Sequence, residues 1–176
     1  VCASSTTSGE VDAIAPRGTV AERSHVDLGL GLAIGHVFAP AFCPDDGVPA
    51  PAWSRRDGCV AALDGVIFNA SQCLFGDPLP PGSDASACAA IAHLRHRPAE
   101  FPARLEGHFG LVVWDEDGRD LWLARDGLGA RPLYYFHSPG RGLVVFASEA
   151  KAVLLHPAVA RRLDGDALTA YLTFGY

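Results

Sequence analysis

A chain of 176 residues that is 49% hydrophobic and 19% charged carries enough apolar material for one full core. It would bury roughly 70% of the surface its unfolded form exposes, which excludes extensive disorder. The net charge of −6, from 14 Lys plus Arg against 20 Asp plus Glu, comes without a basic cluster and argues against nucleic acid as a partner. No apolar run reaches the ~18 residues of a membrane span, and the first residues have neither the basic start nor the apolar stretch of a secretion signal. The expectation is a cytoplasmic protein with no membrane contact.

The elements follow in chain order. Residues 1–10, rich in Ser and Thr, make at best a weak strand. Residues 28–34 alternate apolar side chains with glycine, as a strand does where a neighbouring backbone comes close. Residues 40–56, with proline at 40, 44, 49 and 51, read as a loop. Residues 59–63 and 66–68 are two apolar pieces around the turn-forming dipeptide Asp64-Gly65, or else one bent strand. After a proline-rich loop at 77–82, Ser83 or Asp84 can cap a helix over residues 85–95 that Pro98 ends. Four apolar runs then follow at 109–114, 121–124, 133–136 and 143–147. They are separated by turns at 115–118, 126–129 and 138–142, and strands so closely spaced pair antiparallel. The end returns to helix, first over 150–156 and then, capped by Asp164, as far as Phe174. A helix this apolar needs something to dock onto. The strands are apolar on both faces, so two antiparallel sheets stacked face to face with helices outside satisfy them, whereas an open sheet with one wet face does not.

Several constellations can carry chemistry, each beside a plainer reading. The five cysteines (Cys2, Cys43, Cys59, Cys73, Cys88) form no Cys-x-x-Cys pair and read as reduced thiols. Cys2 can act as a nucleophile with a free α-amine as its base if Val1 is removed; otherwise it is a terminal cysteine without a role. The absence of Met suggests either that Val1 stands for an initiator read from an alternative start codon or that the chain is processed. The dipeptide Asp64-Gly65 is a hairpin turn, or Gly65 offers its N–H to an oxyanion. Asp84 is a helix cap, or a ligand for a substrate ammonium. Arg125-Asp126 with Arg131-Pro132 reads as a loop held by an ion pair. His93 and His96 share one helical side, as a solvated face or a hydrogen-bonded core residue. No phosphate loop, dinucleotide fingerprint, zinc helix or nucleophile elbow occurs, so nucleotide and metal sites are unsupported.

Three stretches bear a family resemblance: Leu105-Glu-Gly-His-Phe-Gly-Leu-Val-Val-Trp-Asp115, Leu121-Trp-Leu-Ala-Arg-Asp-Gly-Leu-Gly-Ala-Arg-Pro-Leu-Tyr-Tyr135 and Phe146-Ala-Ser-Glu-Ala-Lys-Ala-Val-Leu154. With the ending Tyr171-Leu-Thr-Phe-Gly-Tyr176, they resemble the glutaminase domain of asparagine synthetases, a class II glutamine amidotransferase. The resemblance implies an N-terminal nucleophile hydrolase fold, a four-layer αββα arrangement of two antiparallel sheets, as one domain over residues 1–176. It implies a partner as well: a synthetase domain or separate synthetase chain that uses ATP and Mg to activate a carboxylate, whose pyrophosphate loop lies outside this sequence. No cofactor is expected on this chain, and a homo-oligomer stays open.

The functional residues implied by the resemblance fall in the N-terminal half, where the match is poorer. The family's opening Cys-Gly-Ile corresponds to Cys2-Ala-Ser, placing the nucleophile at Cys2. Gly35-His-Val-Phe38 puts Phe38 where the family has an arginine for the glutamine carboxylate. Asp64-Gly-Val-Ile-Phe-Asn69 puts Asp64 in place of the oxyanion amide and Val66 in place of a substrate-binding Glu, and keeps Gly65. Only Asp84 preserves the acid for the substrate ammonium. The implied function is thus an amidotransferase domain of an ATP-dependent amide-forming enzyme with impaired glutamine hydrolysis. The alternative is a non-catalytic scaffold or partner subunit of the β-lactam synthetase or lasso-peptide cyclase kind.

Overall fold

The computed structural model describes residues 2–3, 21–27, 32–38, 52–81 and 83–175. Among these residues, nine strands run in chain order: β1 (Cys2–Ala3), β2 (Ala21–Asp27), β3 (Leu32–Phe38), β4 (Ala52–Arg56), β5 (Cys59–Ile67), β6 (Gly107–Asp115), β7 (Asp120–Arg125), β8 (Tyr134–Ser138) and β9 (Leu143–Ala147). Helices α1 (Ala70–Cys73) and α2 (Ala85–His96) lie between β5 and β6, and α3 (Ala150–Val153) and α4 (Gly165–Phe174) follow β9. The strands form two antiparallel sheets, one in the order β4-β5-β6-β7 and one in the order β2-β3-β1-β9-β8. Among the described residues no helix is long and apolar enough to cross a membrane.

The two-period alternation of β5 explains how the chain packs. Cys59, Ala61, Leu63 and Ile67 join Phe109, Leu111 and Val113 of β6 in one core cluster with Ala87, Ala90, Ile91 and Leu94 of α2. The intervening Val60 and Ala62 join Val112 of β6 in a second cluster with Ile34 of β3 and Phe146 of β9, which belong to the other sheet. On β9, Val145 and Ala147 pack against Ala152 and Val153 of α3. Burying an Ile or Leu side chain contributes about 1.5–3 kcal/mol, so strands apolar on both faces are stable only where both are covered. The alanine-rich α2 is buried from Ser86 to Leu94 and is capped by Asp84, whose Oδ1 accepts the Ala87 N–H at 2.9 Å.

Several expectations need correcting. The stretch 40–56 is not loop throughout, because its last five residues form β4 and pair with β5 from Ala52↔Leu63 to Arg56↔Cys59; 40–51 lies outside the described residues. Of the two readings of Asp64-Gly65 the single strand holds, since β5 runs through the dipeptide without a turn. The hairpin is made instead by an earlier Asp-Gly pair, Asp57-Gly58, with φ of 50° and 68°, the left-handed pair that a two-residue turn requires. The glycine-rich strand is centred later than expected, at Leu32–Phe38, and 28–31 lies outside the described residues. The helix expected over 150–156 stops at Val153. His93 is buried between Phe75 and Phe101, with no partner for Nδ1 among the described residues, and burial pushes its pKa down. Its neighbour His96 is exposed, 3.3 Å from Asp77.

The loop 126–131 is held by a carboxylate, but not through an ion pair. Asp126 is only 6% exposed. Its oxygens accept N–H groups from Ala130 at 3.0 Å, Arg131 at 3.1 Å, Leu128 at 3.1 Å and, from β6, Phe109 at 3.3 Å. These donors, Ala130 foremost and then Arg131, Phe109 and Leu128, outweigh burial and pull its pKa down to about 2.

Two predictions follow from these constraints. Gly65 has a φ of +120°, and a Cβ there would overlap the His108 carbonyl oxygen, so Gly65→Ala should cost at least ~3 kcal/mol in urea unfolding. Gly76→Ala, with positive φ but open space, should cost only about 1 kcal/mol. Asp126 binds its proton more weakly folded than unfolded, so its contribution is complete above the ordinary value of 3.8 and fades as pH falls toward 2. Asp126→Asn should therefore be less stable than the natural chain at pH 7, with the gap closing between pH 4 and pH 2 in denaturant titrations.

Candidate functional site

The site forms where β5 leaves the core. Along this strand the inward face passes from Val60 and Ala62, both fully buried, to Asp64, which is part-exposed, and then to Val66, 45% exposed. Phe68 follows, also exposed, with His108 edge-on to its ring at 5.2 Å. Asp64 lies opposite Gly110 of β6, and this glycine sets the geometry. A Cβ at Gly110 would sit 3.3 Å from the Pro132 carbonyl oxygen. Its absence lets the segment after the Asp126 loop cross over β6 and brings Arg131 to Asp64. The Arg131 Nη1 stands 3.6 Å from Asp64 Oδ1, with the side chains 48% and 32% exposed. A pair so exposed is worth at most ~1 kcal/mol.

Beside this pair lies an open cavity of about 520 Å³, lined by Asp64, Arg131, Tyr134, Ser148, Glu149 and Lys151 among others. The Lys151 Nζ is 2.7 Å from Glu149 Oε2. The lining thus holds cations and anions in pairs, with two hydroxyls between them. Ser148 directly follows Ala147, the residue opposite Cys2 in the sheet, so the cavity adjoins the backbone of the strand that carries Cys2.

The residues singled out in the sequence are distributed as follows. Cys2 lies in β1 at the centre of its sheet, opposite Gly35 on one side and Ala147 on the other. Phe38 ends β3, three positions beyond Gly35 and opposite Ala21; its side chain lies outside the described residues. Asp64, Gly65 and Val66 are consecutive on β5, but of the three only Asp64 lines the cavity. Asp84 is the cap of α2, whose first turn is tied to the end of β5 by the Ile67 N–H donating to Ser86 Oγ at 3.0 Å. Other thiols are unsuited to attack: burial pushes Cys59 up to about 11 and raises Cys73 as well, and Cys88 Sγ lies 3.2 Å from Ser54 Oγ. Cys43 lies outside the described residues.

Arg131, Ser148 and Lys151 were not recognised as site residues. Arg131 stood in the sequence as a loop residue, and the stretch 146–154 only as a mark of resemblance. The available signal was the pairing of Gly110 with Asp64, which needs the strand register to be seen.

The family model described as a glutamine amidotransferase domain matches residues 4–176. Asparagine synthetase (glutamine-hydrolyzing) 2 of Bacillus subtilis (strain 168) is 26% identical over 157 residues, covering 89% of this chain and 20% of the relative. Asparagine synthetase (glutamine-hydrolyzing) 3 of the same organism is 39% identical over 71 residues, 40% of this chain and 11% of the relative. Amidase chry2 of Gibberella zeae is 27% identical over 146 residues, 82% of this chain and 22% of the relative. The chain thus spans about a fifth or less of the length of the synthetases that it matches. The chain belongs to the glutamine amidotransferase domain family, as a class II domain of the asparagine synthetase kind.

Proposed function

We propose that this chain is the amidotransferase domain of an asparagine-synthetase-like, ATP-dependent amide-forming enzyme, and that its own hydrolysis of glutamine is impaired. The observation that carries the second part is the Asp64 carboxylate standing on β5 where the family has an amide, followed by exposed, apolar Val66 where it has a Glu. The proposed layering is αββα: α2 on one sheet, the two sheets face to face, and α3 on the other. The three core clusters, each filled from a different pair of layers, support it. ATP and Mg belong, in this reading, to a synthetase portion beyond this chain, and no step on this chain runs through them. A cytoplasmic setting would keep the buried thiols of Cys59, Cys73 and Cys88 reduced.

The chemistry assigns each residue a role. The Cys2 α-amine takes the thiol proton, the thiolate attacks the glutamine amide carbon, and the amine returns the proton to the departing ammonia; water then hydrolyses the thioester to glutamate. The Gly65 N–H would face the developing oxyanion, and Asp84 the substrate ammonium. Asp84 already spends Oδ1 on the Ala87 N–H, which leaves Oδ2 for a ligand. Losing one oxyanion donor costs about 3–4 kcal/mol, a factor of roughly 10²–10³. A carboxylate there adds repulsion of about 4 kcal/mol at 4 Å in a medium of ε near 20. Phe38 leaves the substrate carboxylate without the arginine the family supplies, and Val66 removes a substrate-binding Glu.

The test is ammonia release from glutamine by protein processed to begin at Cys2, its N-terminus confirmed by mass spectrometry, together with an electrophilic glutamine analogue. Release at the blank level and no label on Cys2 are expected. Turnover above blank with Cys2 labelled would overturn the reading.

A second reading, a partner subunit acting without catalysis, is favoured by α4. No residue of this ten-residue helix is buried, and Leu168, Tyr171, Leu172 and Phe174 are all exposed. A helix this short is marginal alone in water. Co-purification with an ATP-using synthetase chain, lost on Leu172→Asp, is expected under this reading. A stable monodisperse monomer in the presence of that chain would count against it.

A further inference from the structure

We propose that the cavity beside Asp64 binds the head group of a free α-amino acid, the Arg131 guanidinium holding its carboxylate and the Asp64 carboxylate its ammonium. This deepens the reading above, on which it rests: Phe38 and Val66 stand in place of two charged residues of the family-type glutamine site, and a cation beside an anion is found a short way along β5.

The cavity, at about 520 Å³, lies within the ~300–1,000 Å³ range of small-molecule sites. Its two cations are held differently. Lys151 is committed to Glu149 at 2.7 Å, whereas Arg131 reaches Asp64 only at 3.6 Å, beyond hydrogen-bond length. Among the described residues its guanidinium donates no hydrogen bond, although its backbone is fixed by Asp126. A planar fork of free N–H donors on a clamped backbone matches a carboxylate bidentately.

Asp64 then narrows the ligand class. A simple carboxylate or a phosphate arriving at Arg131 would be repelled by the Asp64 oxygens. A zwitterion brings its own ammonium next to its carboxylate and meets both charges with opposite sign. The hydroxyls of Tyr134 and Ser148 stand in the same lining as neutral partners. Asp84, which would hold the ammonium at the family-type position, takes no part in the described lining.

Isothermal titration of the full chain with L-glutamine, L-asparagine and N-acetyl-L-glutamine tests this. Saturable binding of at least one of the two free amino acids, with millimolar or tighter affinity, is expected. For glutamine, acetylation of its amine should weaken binding at least tenfold. Arg131→Gln should weaken amino-acid binding at least tenfold as well, and Arg131→Lys less; matching circular dichroism melts would show that each variant is folded. No saturable binding, equal binding of the acetylated ligand, or binding unchanged by Arg131→Gln would overturn the proposal. The acetylated ligand keeps the test decisive on the unaltered protein. Ammonia release separates the two readings. Binding through Arg131 without turnover supports both. Binding through Arg131 with turnover at Cys2 overturns only the impaired-hydrolysis reading. Turnover at Cys2 with binding unchanged by Arg131→Gln overturns both.

Discussion

The site depends on the buried carboxylate of Asp126. An ionised carboxylate out of water is costly unless its lone pairs are met, and four backbone N–H groups meet them here, one from β6 and three from the loop that Asp126 itself begins. The reciprocal bond from the Asp126 N–H to the Phe109 carbonyl, at 3.0 Å, fixes the start of the loop to the same residue of β6. A loop tethered at its first and last residues to one charged group cannot swing. It delivers Arg131 to one place, above Gly110 and beside Asp64. The position of a half-exposed guanidinium is thus set by a buried acid five residues earlier.

Much of the fold was legible because it rests on local alternation and on burial. Runs such as 109–114 and 143–147, apolar at every position, require cover on both faces, and β5, β6 and β9 receive it from the clusters described above. The caps at Asp84 and Asp164 were legible for a similar reason: a side-chain oxygen just ahead of an apolar helical run satisfies N–H groups that nothing else reaches. What escaped notice was decided by register. Asp57-Gly58 and Asp64-Gly65 are the same dipeptide, yet only the first turns. The strand preceding 57–58 can pair back onto the strand that follows it, whereas 64–65 is already paired along its length with β6. The polar strand β2, at a sheet edge, shows no apolar alternation to reveal it.

The site was legible only by halves. Asp64, Gly65, Val66 and Asp84 could be singled out because a resemblance named their positions, and Gly65 proved to need its missing side chain where β5 and β6 approach most closely. Arg131, by contrast, reads in the sequence only as part of a loop held by an ion pair. The sequence places the two five residues apart with opposite charges, but the Asp126 oxygens are taken up by backbone N–H groups, which leaves the Arg131 side chain to find a partner on another strand. The pairing of Arg131 with Asp64 spans 67 positions along the chain and exists because Gly110 leaves room for it. No local pattern encodes such a contact.

Magnitudes then decide what the Asp64–Arg131 pair is for. An ion pair this exposed contributes at most ~1 kcal/mol to stability, too little to account for a loop clamped by a buried acid. Its larger effect is on the field in the cavity. A bare carboxylate would repel any anion formed nearby, but with a guanidinium 3.6 Å away the pair acts as a dipole, whose potential falls off faster with distance than that of a lone charge. A dipole of this kind gives little help to an isolated oxyanion, since its negative end stands where a donor is required. It complements a ligand that is itself a dipole. On the proposed reading, the carboxylate that makes position 64 unfit to stabilise a transition state is therefore the same one that, with Arg131 clamped beside it, offers a surface suited to a zwitterion.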